Sequence, residues 1–406
     1  MSHDVRGSPN GNPPIAGAAD GEVAEASLWL WREIILNFAP RQPLLPSDIC
    51  GLQNGSEPLE TRPAERLFRR EQAESFMSQY DVLCIGNAIV DIIAHSDEKF
   101  LVDNGIIKGA MNLIDKERAE LLYSRMGPAI EASGGSAGNT AAGVASFGGK
   151  AAFFGKVASD QLGEIFTHDI QAIGVAFNTQ PLAGPPPTAR SMIFVTPDGE
   201  RSMNTYLGAC VELGPEDVEE EKAKGARVTY FEGYLWDPPR AKDAIRLTAR
   251  HAHAAGREVS MTLSDSFCVG RYRDEFLDLM RSKTVDIVFA NSHEIKSLYE
   301  TSSFETALDL IRKDCRIAAV TRSEKGSVIV RGDETYEIKP IEVHKVVDTT
   351  GAGDLYAAGV LHGYTRGLDL RTCGDLGSLA AGLVIQQIGP RPRENLLAEA
   401  KKVGLL

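Results

Sequence analysis

Paired cysteine is the first thing this chain lacks. Its six cysteines, Cys50, Cys84, Cys210, Cys268, Cys315 and Cys373, stand singly, with no CxxC pair and no Cys/His cluster at zinc-finger spacing. That excludes a disulfide scaffold or a zinc module and fits a reducing compartment. An excess of positive charge is also missing. With 56 acidic against 43 basic residues the formal net charge is -13, so the phosphate attraction of nucleic-acid binders is absent and no nucleic-acid partner is expected. No uncharged apolar run reaches the ~18 residues that cross a bilayer. The opening MSHDVRGSPNGNPP lacks the basic start and apolar run of a signal peptide. These absences lead us to expect a cytoplasmic chain without a membrane partner. No internal repeat is visible. What is present, 406 residues at 43% hydrophobic and 24% charged with 39 glycines, excludes collagenous or wholly disordered chains and leaves ample length for a core.

Composition changes near Met77. Residues 1–76 hold eight of the twenty prolines, seven arginines and no lysine, and they show no sustained periodicity, so they read as an extension outside the fold. Within them, 27–38 (SLWLWREIILNF) has the pattern of a short amphipathic helix, and Met77 is itself a candidate start. From 77 to 406 apolar runs alternate with helical patterns. Strands are expected at 82–85, 151–154, 228–231, 259–262, 287–290 and 317–321. Helices at 161–172, 240–255 and 271–281 are long enough for parallel crossovers. The fold class is therefore α/β, a doubly wound, mainly parallel sheet with helices on both faces. Two stretches break the rhythm, 89–114 and 188–207 with its Pro197-Asp198-Gly199 turn, and are expected to form a small antiparallel β lid.

Four clusters could carry chemistry. Asp348-Thr-Thr-Gly-Ala-Gly-Asp354 precedes the small-residue run LYAAGVLHGY. Glycines just before a helix let backbone N–H groups converge on an anion, with the helix dipole adding about half a positive charge. An acid in that first turn can meet a hydroxyl beside the anion, but a bare GxGD is equally a turn with a helix-start acid. A dinucleotide fingerprint fails because Tyr356 stands where the third glycine belongs and only about fifty residues follow, too few for a nucleotide-binding half. Gly134-Gly135-Ser136-Ala137-Gly138-Asn139 is a second glycine turn feeding a helix, with Asn139 either a donor and acceptor for hydroxyls or a helix cap. Asp91, just past the first strand, has two oxygens that suit a vicinal diol, or is a loop acid. Asn291-Ser-His-Glu294 offers oxygen ligands that can hold the water shell of Mg²⁺, or a capping box, and both can hold together.

In this order and spacing the four clusters resemble the ribokinase-like (PfkB) carbohydrate and nucleoside kinase family, from about residue 80 to the C-terminus. Within it, GNAIVDI and Asp198-Gly-Glu-Arg-Ser-Met-Asn-Thr-Tyr-Leu-Gly-Ala209 are most similar to adenosine-kinase-like members. The resemblance implies ATP-dependent phosphorylation of a primary hydroxyl on a ribose-containing small molecule, with adenosine leading. It makes Asp354 the base, Gly351, Ala352 and Gly353 the anion hole, and Arg201 a lid residue near the transferred phosphate. Asp91, Gly135 and Asn139 would hold the sugar. Thr321 and Gly326 would contact ATP, while Asn291 and Glu294 organise Mg²⁺. A monovalent cation and a monomer or homodimer stay open. One departure is Thr321-Arg-Ser-Glu-Lys-Gly326, where Ser323 replaces the first glycine of T-x-G-x-x-G. A ribokinase- or fructokinase-like sugar kinase is the near alternative, decided by whether the lid offers an apolar slot for a purine; a non-catalytic nucleoside or sugar sensor is the distant one. Asp354 beside a positive helix end is expected to stay ionised at neutral pH.

Overall fold

The computed structural model describes residues 79–406; the expected extension 1–76, its helix at 27–38 and Met77 lie outside the described residues. Thirteen strands follow in chain order among those described. They begin β1 (Tyr80–Ile85), β2 (Ile89–His95), β3 (Met111–Leu113), β4 (Ala129–Ser133), β5 (Ala151–Phe154), β6 (Ala189–Val195) and β7 (Arg201–Tyr206). The rest are β8 (Ala226–Glu232), β9 (Glu258–Thr262), β10 (Ile287–Asn291), β11 (Ile317–Thr321), β12 (Ser327–Arg331) and β13 (Glu334–Ile338).

Eight of them form one sheet in the order β13-β12-β11-β10-β9-β8-β1-β5. The pairings from β5 to β11 are parallel, and β12 and β13 close one edge antiparallel. Both faces are buried, which is why the strands read as unbroken apolar runs. In β1, Leu83 and Ile85 pack under the helices Pro239–Ala254, Ser266–Arg281 and Phe304–Asp314. Val82 and Cys84 pack on the other side, with Ala137 and Val144 of Ser136–Ser146, Phe166 of Gln161–Ala172 and Val360 of Ala352–Thr365. The helix read at 271–281 begins earlier, at Ser266, with a break in helical geometry at Tyr272. Among the described residues no helix is long and apolar enough to cross a membrane, and the five described cysteines are unpaired.

The remaining five strands form a smaller sheet, β3-β7-β6-β2-β4. The expected antiparallel lid is corrected here to a mixed sheet: β2 runs parallel to β6 and β3 parallel to β7, while β6–β7 and β2–β4 are antiparallel. Only β6 and β7 are joined by a tight turn, the one containing Gly199. The others arrive through long connections, which permit parallel pairing. Ile92, Met192 and Phe194 pack on one face of this sheet with Leu101, Ala119 and Leu122. The opposite face carries a row of Asp91, Ser191 and Thr205, in register across β2, β6 and β7.

Candidate active site

β1 lies between β5, the next strand of the main sheet in sequence, and β8, so the direction of winding reverses at its carboxyl end. Crevices at such switch points are where open α/β sheets bind ligands. Asn87 follows β1, Glu232 ends β8, Ser264 follows β9, Asn291 ends β10 and Thr321 ends β11, so the sequence clusters gather along one sheet edge. Two adjoining cavities lie along it and share Ser136, Ser264 and Asp354.

Asp354 sits in the first turn of Ala352–Thr365, behind Gly351, whose left-handed φ of 79° suits glycine and whose place against Pro390 leaves no room for a side chain. The Ala352 amide makes only a long bond of 3.3 Å to the Thr349 carbonyl, and the first turn of a helix leaves further N–H groups for an anion. Ser136 Oγ donates to one Asp354 oxygen at 2.6 Å and Asn139 Nδ2 to the other at 2.9 Å, which joins the two glycine motifs. Desolvation pushes the Asp354 carboxyl up to about 6 against the lowering effect of those two bonds. A carboxyl raised this far is a stronger base than an ordinary aspartate.

The smaller cavity, about 200 Å³, meets Asp91, Gly135, Asn139, Ser191 and Thr205 on its polar side. Asn139 and Asn87 each present a buried side-chain oxygen without a hydrogen-bond partner. Ile89, Met111, Leu113, Met203, Leu207 and Tyr234 supply an apolar wall. Gly135 begins the Ser136–Ser146 helix at φ 82°. Asp91 is buried, and desolvation pushes it up to about 7; Arg201 and Arg391 pull the other way. Arg201 reaches across from β7, donating to Thr350 Oγ1 at 2.8 Å and pairing with Asp348 at 3.1 Å, so it lies on the approach to the Gly351 turn.

The larger cavity, about 770 Å³, holds Gly351, Ala352, Gly353, Asn291, Glu294, Thr321 and Gly326, with Ile341, Val343, Val346 and Ile385 among its apolar lining. Asn291 and Glu294 form a capping box: Asn291 Oδ1 accepts from the His293 and Glu294 amides, and Glu294 accepts from the Asn291 amide at 2.9 Å and side chain at 2.5 Å. Burial pushes Glu294 up to about 7. Among the described residues no group of three or more His, Cys, Asp or Glu is placed to hold a metal by itself. One carboxylate with lone pairs to spare, next to an anion-binding turn, suits Mg²⁺ held mainly by phosphates and water. Ser323, where the T-x-G-x-x-G pattern has glycine, stands at a left-handed φ of 53°, a conformation that favours glycine.

Every candidate site residue expected from the sequence lines one of the two cavities except Arg201, which donates to Thr350 in the lining of the smaller one. Sequence reading missed Ser136, Asn87, Tyr234 and Glu232. Glu232 is the most informative: it is buried, accepts from the Asn87 amide at 3.0 Å, Asn87 Nδ2 at 2.7 Å and the Ala137 amide at 2.8 Å, and ties three segments together. The available signal was a lone acid closing an apolar strand in VTYFEGY.

The profile of the pfkB family of carbohydrate kinases matches residues 124–395. Adenosine kinase of Saccharomyces cerevisiae is 26% identical over 334 residues, covering 76% of this chain and 96% of that protein. Among solved structures, adenosine kinase from Sinorhizobium meliloti is 71% identical with a TM-score of 0.78, covering 80% of this chain and all of that one. A probable sugar kinase protein from Rhizobium etli CFN 42 is 69% identical with a TM-score of 0.79, covering 81% of this chain and 100% of that one. The chain belongs to the pfkB carbohydrate kinase family and is a phosphotransferase acting on a hydroxyl acceptor.

Proposed function

We propose that the chain is an adenosine kinase, moving the terminal phosphoryl group of ATP to the primary ribose hydroxyl of adenosine. The observation that carries this reading is the smaller cavity. A bare sugar needs only its polar side, whereas the wall of Met111, Leu113, Met203, Leu207 and Tyr234 gives a purine an apolar slot. The names of the yeast and Sinorhizobium relatives point the same way.

In this reading Asp91 accepts the diol protons and the unpartnered Asn139 oxygen accepts a further hydroxyl. Asp354, oriented by Ser136 and Asn139, takes the proton of the attacking hydroxyl as the new bond to phosphorus forms. Phosphoryl transfer has a loose transition state, so positioning and charge neutralisation do most of the work. The Gly351–Gly353 amides receive the migrating group's charge, and Arg201, anchored by Thr350 and Asp348, adds positive charge beside them. Thr321 and Gly326 border the nucleotide, and the apolar wall with Ile341 and Val343 takes its base. Asn291 and Glu294 would hold Mg²⁺ through water; when bound, the ion neutralises phosphate charge. The small sheet over the acceptor excludes water and so suppresses ATP hydrolysis. The five described cysteines, all unpaired, suit the cytoplasm.

The test is transfer of label from terminally labelled ATP to a panel of acceptors. Adenosine should become AMP well ahead of ribose, fructose and pyrimidine nucleosides. Preferential labelling of ribose or fructose would replace this reading with a sugar kinase.

A further inference from the structure

Three consecutive residues after the Leu370–Val384 helix, outside every motif discussed above, touch three different parts of the site. The Gly389 amide donates to Asp348 Oδ2 at 2.9 Å, the carboxylate that also pairs with Arg201. Pro390 lies against Gly351 so closely that a side chain there would collide with it. Arg391 donates to Ser133 Oγ and, at 3.5 Å, to the Gly134 carbonyl. Its guanidinium lies 6.0 Å from the Phe166 ring centre, and a Cβ at Gly138 would stand 3.5 Å from its Nη2. Gln387 holds the turn by donating to the Arg391 carbonyl at 2.5 Å. The Arg391 Nε is shut from solvent without a partner, so the side chain is threaded into the interior for something other than its own hydrogen bonding.

What it reaches is the backbone that supports Asp91. Gly134 is packed so tightly against the Asp91 carboxylate that no side chain fits between them. The Ser133 hydroxyl also donates to Asp169 at 3.1 Å, so this end of β4 is pinned from two sides. We propose that Arg391 is a positioning residue for the acceptor: by holding Ser133 and Gly134 it fixes Asp91 in place, while its neighbours Gly389 and Pro390 fix the anion hole, so that one turn aligns the hydroxyl acceptor with the phosphoryl site. This rests on the reading of Asp91 as the residue that holds the acceptor diol.

The test is steady-state kinetics of the full chain and its Arg391→Met, Arg391→Lys, Asp91→Ala and doubly substituted forms, with adenosine and ATP varied separately. Arg391→Met should raise the adenosine KM about tenfold, the scale of a lost charged hydrogen bond, and leave the ATP KM within about twofold. Arg391→Lys should recover part of the loss. In the Asp91→Ala background Arg391→Met should add little, since a residue acting through Asp91 has nothing left to act on. Equal changes in both KM values, or the same Arg391→Met penalty with and without Asp91, would overturn the proposal while leaving Asp91 in its role. An unchanged adenosine KM in Asp91→Ala alone would remove the reading of Asp91 and this proposal with it. Should Arg391→Met fail to fold, Ser133→Ala removes only the hydroxyl contact, and the same split in KM is expected or the proposal falls.

Discussion

The two cavities that meet at Asp354 are built on opposite plans. The smaller one, read above as the acceptor side, is polar at its floor, with a buried carboxylate and two lining asparagines whose buried amide oxygens have no partner. The cavity read as the nucleotide side is nearly four times larger, and there the side chains of Asn291 and Glu294 are hydrogen-bonded to each other. Leaving buried polar atoms without partners destabilises the empty fold, typically by about 1–3 kcal/mol each. Such groups are tolerated where a ligand completes them. On the function proposed above, the contrast teaches that the acceptor would be read by hydrogen bonds held ready in advance, whereas the nucleotide would be read by shape, helix-end amides and a hydrated ion.

The largest expected effect lies where the cavities join. Asp354→Asn keeps the size and the hydrogen bond from Ser136 but removes the acceptor for the hydroxyl proton, so turnover should fall roughly 10²–10⁴-fold with both substrates still bound. Turnover, melting temperature and calorimetric affinity measured together check this. Glu294→Gln should act only on the nucleotide side, raising the Mg²⁺ concentration needed for half-maximal rate by about tenfold, the lower end of what outer contacts to a metal contribute, with the adenosine KM unchanged. A magnesium titration at fixed ATP decides it.

Acidity separates activity from stability. In the proposed mechanism Asp91 and Asp354 act as carboxylates, and burial pushes them up to about 7 and about 6, so the adenosine KM should rise as pH falls through 7 and turnover should fall through 6. The stability effect has the opposite sign. A carboxylate whose pKa is raised on folding binds its proton more tightly in the native state, so its contribution is full below the unfolded value near 4 and is lost as pH rises through 6 to 7. Profiles of turnover and KM beside melting curves, from pH 5 to 8, check both directions. The smallest effect is expected from deleting 1–76: activity and melting temperature of 77–406 should stay close to those of the full chain, because that segment lacks the apolar periodicity to join a core.

Much of this was legible in the sequence where local chemistry decides. The strands at 151–154 and 317–321 and the helix at 161–172 coincide with Ala151–Phe154, Ile317–Thr321 and Gln161–Ala172, because the strands are short apolar runs between polar or glycine residues and the helix starts at the Asp160 cap. β4, Ala129–Ser133, was not, since most of it is exposed and its pattern is weak. The mixed pairing of the small sheet was hidden because strand direction depends on connections rather than on side-chain alternation. Glu232 and Arg391 were missed for a related reason. Their partners are 95 and 145 residues away for Glu232 and 257 and 258 away for Arg391, and the one local mark, the acid that closes the apolar run VTYFE, does not say what Glu232 would bind.

The preorganised acceptor side is tested most directly by calorimetry of adenosine and 2′-deoxyadenosine with the full chain and with Asp91→Ala, all without ATP. If Asp91 reads the ribose diol, deleting the 2′ hydroxyl should weaken binding to the unaltered chain by about 1.5–3 kcal/mol, the range for a hydrogen bond to a charged group, and that penalty should nearly vanish in Asp91→Ala. The same 2′-deoxy penalty in both proteins would contradict the account, because the hydroxyl would then be read by some other group and the buried carboxylate would have no part in recognition.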